Sequence, residues 1–162
     1  MSGLDGRVDL TDAVAFAARL ASGQRLLGLD LGTKTIGVAL SDVTRMIASP
    51  AETIKRTKFK ADAARLIELV AEHRVAGFVL GLPRNLDGSE GPRAQATRAF
   101  ARNLAALSPL PILLWDERLT TAEAERSLLA ADASRKRRGE VINHVAASII
   151  LQSALDRLRS LT

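Results

Sequence analysis

Asp30 and Glu117 are the two acidic side chains whose placement in this sequence points to chemistry. Asp30 lies in the apolar, β-favouring run Arg25–Leu31, and Glu117 follows closely on the apolar run Pro111–Trp115. Each thus falls at the carboxyl end of an expected strand, where open α/β sheets place their reactive groups. In a twisted sheet two such ends can be neighbours. Converging carboxylates make an oxygen-rich site suited to Mg²⁺ or Mn²⁺, which bind through one or two carboxylates plus a substrate phosphate. A pair of such ions about 3.5–4 Å apart can activate water and stabilise the leaving oxygen in phosphodiester cleavage. That chemistry needs no histidine, and the chain has only His73 and His144. Spacing alone leaves a second reading open, with Asp30 a turn-former and Glu117 a surface ion-pair partner.

The elements that must position these acids follow from periodicity. Arg25–Leu31 and Thr35–Ser41, separated by Gly32-Thr33-Lys34, read as two paired strands with a tight turn. A third short strand is expected around Arg45–Ala48, then a helix over Ala61–His73 with Ala64, Ile67, Leu69 and Val70 supplying much of its buried face. Val75–Leu82 is a continuous apolar run of the kind buried on both faces of a parallel sheet. A Pro, Gly, Asn and Asp-rich loop from Pro83 to Pro92 leads into a helix over Arg93–Leu107, with Thr97, Phe100, Ala101 and Leu104 at helical spacing. After the strand Pro111–Trp115, Thr120 and Glu123 have the spacing of a capping box and predict a helix through Leu129. A polar connector, Asp132–Glu140, precedes a closing helix over Val141–Leu158. A short amphipathic helix, Thr11–Leu20, opens the chain.

Size and composition bound what this pattern can be. With 162 residues, 47% hydrophobic and 25% charged, the chain holds about one α/β domain and has no room for a second large one. Aromatic content of 3%, without tyrosine, disfavours rows of base-stacking platforms, so any nucleic-acid contact should be mainly electrostatic. The formal charge of +5 suits a polyanionic partner. The absence of cysteine excludes disulfides, thiolate metal sites and cysteine nucleophiles, and fits a cytoplasmic protein. Asp5, Asp9 and Asp12 stand before the first apolar run and Arg19 interrupts it, the wrong charge order for a secretory signal. No stretch reaches the roughly 18 uncharged apolar residues that span a bilayer, so no membrane partner is expected.

Four ordered strings carry a resemblance: Leu27 to Asp42 (LGLDLGTKTIGVALSD), Gly81 to Ser89 (GLPRNLDGS), Asp116 to Thr121 (DERLTT) and Ala146 to Gln152 (AASIILQ). Together they resemble the YqgF (RuvX) family, whose members are described as pre-16S ribosomal RNA processing nucleases and as Holliday-junction resolvases. The similarity runs from about Arg25 to Leu158. It implies a ribonuclease H-like α/β fold, a mixed sheet flanked by helices in three α/β/α layers. It also implies Mg²⁺ or Mn²⁺ as cofactor, and structured RNA (pre-16S rRNA) or branched DNA as partner. Asp30 and Glu117 match two of the family's three acidic positions. At the third, three residues before Ala146-Ala147, this chain has Asn143 where the family usually has Asp. An amide oxygen can ligate Mg²⁺ but lacks the charge that balances it, so weaker metal binding is expected. Asn143 shares a helical stripe with Ala147, Ile150 and Ala154, and Glu140 or His144 are alternative ligands. Thr35 stands where the family commonly has Arg.

On this reading Asp30, Glu117 and Asn143 form the catalytic and metal site. Lys34, Arg84, Asn85, Arg118, Lys136, Arg137 and Arg138 are the candidate nucleic-acid contacts. Arg118 would pair with Glu117 or clamp a phosphate, and the run Arg135–Arg138 would lie beside a docked backbone. Alternatively Asn85, Asp87 and Gly88 only form turns and the basic run is a solvated loop. The expected division is an N-terminal helical extension, 1–24, and a nuclease domain, 25–162. Two rival classes remain. LGLDLGT also resembles the phosphate-binding hairpin of actin-like ATPases, although that architecture needs two such domains; a non-catalytic RNA-binding or transcription-associated module would suit Asn143. A homodimer would suit a symmetric four-way junction and a monomer an RNA end, and the residues do not choose.

Overall fold

A computed structural model describes residues 8–9, 12–120 and 145–161. Its elements are β1 (Val8–Asp9), α1 (Ala13–Ala18), β2 (Arg25–Leu31), β3 (Thr35–Ser41), β4 (Ala48–Lys55), α2 (Phe59–His73), β5 (Val75–Leu82), α3 (Pro92–Leu107), β6 (Ile112–Asp116), a 3₁₀ turn (Glu117–Leu119) and α4 (Val145–Ser160). The strands form one sheet in the order β1-β6-β5-β2-β3-β4. β2, β3 and β4 make an antiparallel meander, while β5 runs parallel to both β2 and β6.

Side chains alternate across this sheet because successive residues of a strand point to opposite faces. Leu27, Leu29, Phe78 and Leu80 face α2 and α3, where they meet Leu66, Leu69, Phe100 and Leu104. Leu26, Val79, Leu113 and Trp115 face α1 and α4, meeting Phe16, Ala147, Leu151 and Leu155. Two cores on two faces give three layers, α/β/α. β5 is buried along its whole length, as its unbroken apolar run predicts. α4 approaches the sheet so closely that a methyl group at Gly28 would lie 2.7 Å from Leu151 Cβ. Phe16 of α1 is fully buried in the second core, and β1 pairs parallel with β6.

Several expectations are corrected. The third strand is not at Arg45–Ala48 but begins at Ala48 and runs eight residues through Pro50. Pro50 is tolerated because β4 is an edge strand, and the pairing shifts register beside it, between Val38 and Ala39. Residues 42–47 instead form a loop organised by the Asp42 carboxylate, which accepts hydrogen bonds from Met46 N, Ile47 N and the Thr44 hydroxyl. In α2 the buried stripe is Asp62, Ala63, Leu66 and Leu69, with Ala64 and Ile67 exposed. The helix offers two adjacent apolar stripes, and Asp62 settles the choice by turning inward to accept from Thr57 N and Thr57 Oγ1. The opening helix is shorter than Thr11–Leu20, and the two-residue β1 is too short to leave a periodic signal. The helix expected after Thr120 and the start of the closing helix before Val145 lie outside the described residues.

Candidate active site

The register of the sheet brings Asp30 and Glu117 together. Leu29 pairs with Leu80, so Asp30 lies beside Gly81, and Gly81 pairs in turn with Trp115 on β6. Glu117, two residues beyond Trp115, leads the 3₁₀ turn and folds back over Gly81. A methyl group at position 81 would lie 3.0 Å from Glu117 Oε2 and 2.5 Å from Ile150 Cδ1. Glycine at that position therefore leaves the volume the carboxylate occupies. Both acids sit on the α4 side of the sheet.

Their electrostatics differ from those of ordinary surface carboxylates. Burial raises the pKa of Asp30, partly offset by the Arg93 charge. Burial also raises that of Glu117, the nearby Asp30 charge adds to the rise, and Arg93 again opposes it. Neither carboxylate accepts a side-chain hydrogen bond among the described residues. Two half-buried, mutually repelling carboxylates without internal donors are a fitting donor set for a hard divalent cation, whose remaining positions water and phosphate would fill. Among the described residues there is no group of three acidic, His or Cys side chains for a metal. Asn143, Glu140 and His144 lie outside them.

The residue before Glu117 behaves in the opposite way. Asp116 is buried and is met by the Arg118 guanidinium, with Nη2 to Oδ2 at 2.7 Å and Nε to Oδ1 at 3.1 Å, while its carboxylate caps the turn by accepting from the Arg118 backbone N–H. Arg84 Nη1 stands 3.6 Å from the same carboxylate. These contacts, Arg118 first, lower the Asp116 pKa. Arg118 thus pairs with Asp116, where sequence reasoning offered Glu117 as its partner, and also donates to the Leu86 carbonyl. Arg84 further contacts Glu90, which Arg98 grips through two bonds of 2.5 and 2.6 Å. Asn85 donates to Ser89 Oγ, and the Asn85 and Ser89 backbones close the turn at Gly88. Arg84, Asn85 and Arg118 therefore hold the Pro83–Pro92 loop against the end of β6.

Lys34 is exposed at the tip of the β2–β3 turn. Thr35 closes that turn through its backbone, its carbonyl accepting from Gly32 N at 2.9 Å, which is why a residue other than Arg can stand there. Lys136, Arg137 and Arg138 lie outside the described residues. Sequence reasoning missed Arg93, whose charge reaches both acids. Its signal was a basic residue in the first turn of α3, where the helix dipole disfavours positive charge.

Comparison with known proteins agrees with this architecture. RuvC of T. thermophilus in complex with a Holliday junction superposes with a TM-score of 0.59 at 13% identity, covering 86% of this chain and 97% of that one. The yeast mitochondrial Holliday junction resolvase superposes at 0.52 with 12% identity, covering 92% and 85%. At such identities the likeness defines the fold, which is ribonuclease H-like. The family model for RuvX, described as Holliday junction resolvase, matches residues 24–157, and the chain belongs to that family. A relative from Rhodobacter capsulatus, named "Putative pre-16S rRNA nuclease", is 66% identical over 146 residues, 90% of this chain and 92% of its own length. One of the same name from Roseobacter denitrificans is 64% identical over 152 residues, 93% of each chain.

Proposed function

We propose that this chain is a divalent-metal-dependent nuclease that hydrolyses phosphodiester bonds in structured RNA during maturation of the 5′ end of pre-16S rRNA. The observation that carries the reading is the convergence of Asp30 and Glu117 over Gly81, two half-buried carboxylates without side-chain donors among the described residues. The names of the relatives supply the substrate. The family description keeps branched DNA as the second reading, in which the same site would resolve a four-way junction. A soluble enzyme acting on rRNA would work in the cytoplasm, and among the described residues no helix is long and apolar enough to cross a membrane. Residues 25–162 would form the nuclease domain, with residues 1–24 an extension.

A divalent ion bound here would supply Lewis acidity and a more acidic water at neutral pH. Asp30 and Glu117 would hold it, with the Asn143 amide as a weaker third donor. Glu117 is kept in place by the turn that Asp116 and Arg118 cap, and Gly81 leaves the space beside it free. Arg93 moderates the repulsion between the acids without an ion pair to either among the described residues. The carboxylates' raised pKa values mean that the ion competes with protons, so activity should rise with pH through their titration.

The test is cleavage of a pre-16S rRNA fragment and of a four-way DNA junction, each with Mn²⁺, Mg²⁺ or chelator, by the native, Asp30→Asn and Asn143→Asp proteins. Metal-dependent cutting that Asp30→Asn abolishes and Asn143→Asp increases is the expected result, with RNA the preferred substrate. Tight, salt-sensitive binding without cutting by native or Asn143→Asp protein would instead assign a non-catalytic nucleic-acid-binding module.

A further inference from the structure

On the opposite face of the sheet from the acid pair, at the same carboxyl edge, lies a concavity. It has a volume of about 160 Å³ and is lined by Leu31, Gly32, Thr33, Arg56, Arg93 and Phe100, among others. That is many times the roughly 10–15 Å³ that a single water requires. We infer that this cavity is a phosphate subsite, in which Arg56 and Arg93 hold a backbone phosphate of the nucleic acid next to the one presented to Asp30 and Glu117. The inference rests on the nuclease reading and adds the cleft by which substrate is seated.

Both guanidinium groups are oriented but uncommitted. Arg93 Nη2 donates to the Leu31 carbonyl at 2.8 Å, and Arg56 Nη1 donates to the Gly32 carbonyl at 2.7 Å. Arg56 also lies over the Phe100 ring, 5.8 Å from its centroid. Each fork has five N–H donors, so one anchoring bond fixes its direction and leaves most donors available. Neither forms an ion pair with a carboxylate among the described residues. Arg84, Arg98 and Arg118, by contrast, all contact Asp116 or Glu90.

Arg56 is half-buried and Arg93 exposed, each beside the cavity's apolar wall, and neither is ion-paired to a carboxylate among the described residues, which leaves them electrostatically incomplete. A phosphate completes them, because arginine binds its oxygens through parallel N–H bonds and the apolar lining strengthens the attraction. The cavity also adjoins the start of α3, where Gly91 makes no side-chain cap and Pro92 occupies the first turn, so its dipole adds to the field. Arg93 connects the two sites, since its charge reaches both acids across the edge. A strand crossing the carboxyl ends of β2, β5 and β6 would offer one phosphate to each side. Such contacts set register without reading bases, as selection by RNA shape requires.

The test is the salt dependence of binding, measured with chelator present so that cleavage plays no part. Fluorescence anisotropy of a labelled RNA hairpin gives log K against log salt for native protein, Arg56→Gln, Arg93→Gln, Arg93→Lys and the control Arg102→Gln, an exposed position on α3. Each Gln variant should weaken binding about three- to tenfold and lower the slope by about 1, the loss of one phosphate contact. Arg93→Lys should keep the slope and lose only part of the affinity, which also covers the case of a Gln variant that does not fold. Arg102→Gln should match native protein. Unchanged slopes for folded Arg56 and Arg93 variants would overturn the subsite. So would titration heat from ATP that Arg93→Gln abolishes, since the cavity would then be a nucleotide pocket. Altered slopes in a protein that never cuts would sink the nuclease reading and leave the subsite standing; intact cutting with unchanged slopes would do the reverse.

Discussion

Two regions at the carboxyl edge of the sheet use the same residue types in opposite ways. Around the Pro83–Pro92 loop, Asp116 and Glu90 are matched by Arg84, Arg98 and Arg118 in a network with little charge left over. Across the edge, Asp30 and Glu117 have no donors and Arg56 and Arg93 have no carboxylates among the described residues. The first region lowers carboxylate pKa values and the second raises them. The difference teaches that satisfied charge holds a loop, whereas unsatisfied charge of both signs is what a metal ion and a polyanion can complete. Asp116 and Glu117 are sequence neighbours and fall on opposite sides of this division.

The largest expected effect is in the unsatisfied region. Asp30→Asn or Glu117→Gln should reduce cleavage by at least about 10³-fold, roughly 4 kcal/mol of transition-state stabilisation, in a gel assay with Mg²⁺ or Mn²⁺. The same variants should melt no lower than native protein in chelator, because each removes a half-buried charge that no hydrogen-bond donor or ion pair meets among the described residues. A clear drop in melting temperature would mean that these acids are structural and would erase the contrast.

In the satisfied region the signs should invert. Asp116→Asn should cost about 2 kcal/mol in denaturant unfolding, the worth of charged hydrogen bonds to a buried carboxylate. It also releases Arg84 and Arg118, so the salt slope of RNA binding should steepen. A stable variant with an unchanged slope would show that the network holds nothing.

pH separates the regions within one protein. Asp116, Glu90 and Asp42 have lowered pKa values, Asp42 to about 2 through the Thr44 hydroxyl and the Ile47 and Met46 amides. The stability they contribute is present above the unfolded carboxylate pKa and is lost as pH falls through the folded value. Asp30 and Glu117 have raised values, so their contribution is present below the unfolded pKa and is lost as pH rises through the folded one. In chelator, thermal unfolding of the Asp30→Asn/Glu117→Gln double variant should lack the loss on the high-pH side and keep the loss on the acid side. Divalent metal should restore native protein on the high-pH side, since a ligand bound only by the folded state stabilises it.

The smallest effect is expected at Thr35. Its partner across the strand pair is Lys55, so Thr35→Arg sets like charges opposite each other at a cost under about 1 kcal/mol by urea unfolding. Cleavage should change little, because the turn is closed by the Thr35 backbone. A large loss of activity would bring this side chain into the unsatisfied region.

Where local pattern and tertiary demand agreed, the fold was legible. The hairpin Arg25–Ser41, the buried strand Val75–Leu82 and the α3 face of Thr97, Phe100, Ala101 and Leu104 follow from periodicity and turn chemistry, and the structure has them. β4 was displaced because an edge strand tolerates Pro50 and polar residues that an interior strand would not. The inner face of α2 was misread because two apolar stripes compete and a buried Asp62 chose between them. At the site, Asp30 and Glu117 were visible as acids at strand ends, but Arg56 and Arg93 looked like any other surface cations.

By itself, the sequence determined the strands β2, β3, β5 and β6 and the helices α2 and α3 to within a residue or two, that the sheet is partly parallel, and that carboxylates stand at its carboxyl ends. Those properties depend on local periods, turn residues and the burial of long apolar runs, all carried by neighbours in the chain. Only the tertiary structure decided which charges are paired. Asp116 meets Arg84 from 32 residues away, and Glu117 reaches Asp30 only because parallel register sets Gly81 between them. Electrostatic pairing is a matter of distance in space and of burial, and the one-residue step from Asp116 at the end of β6 to Glu117 in the following turn separates a paired carboxylate from an unpaired one among the described residues.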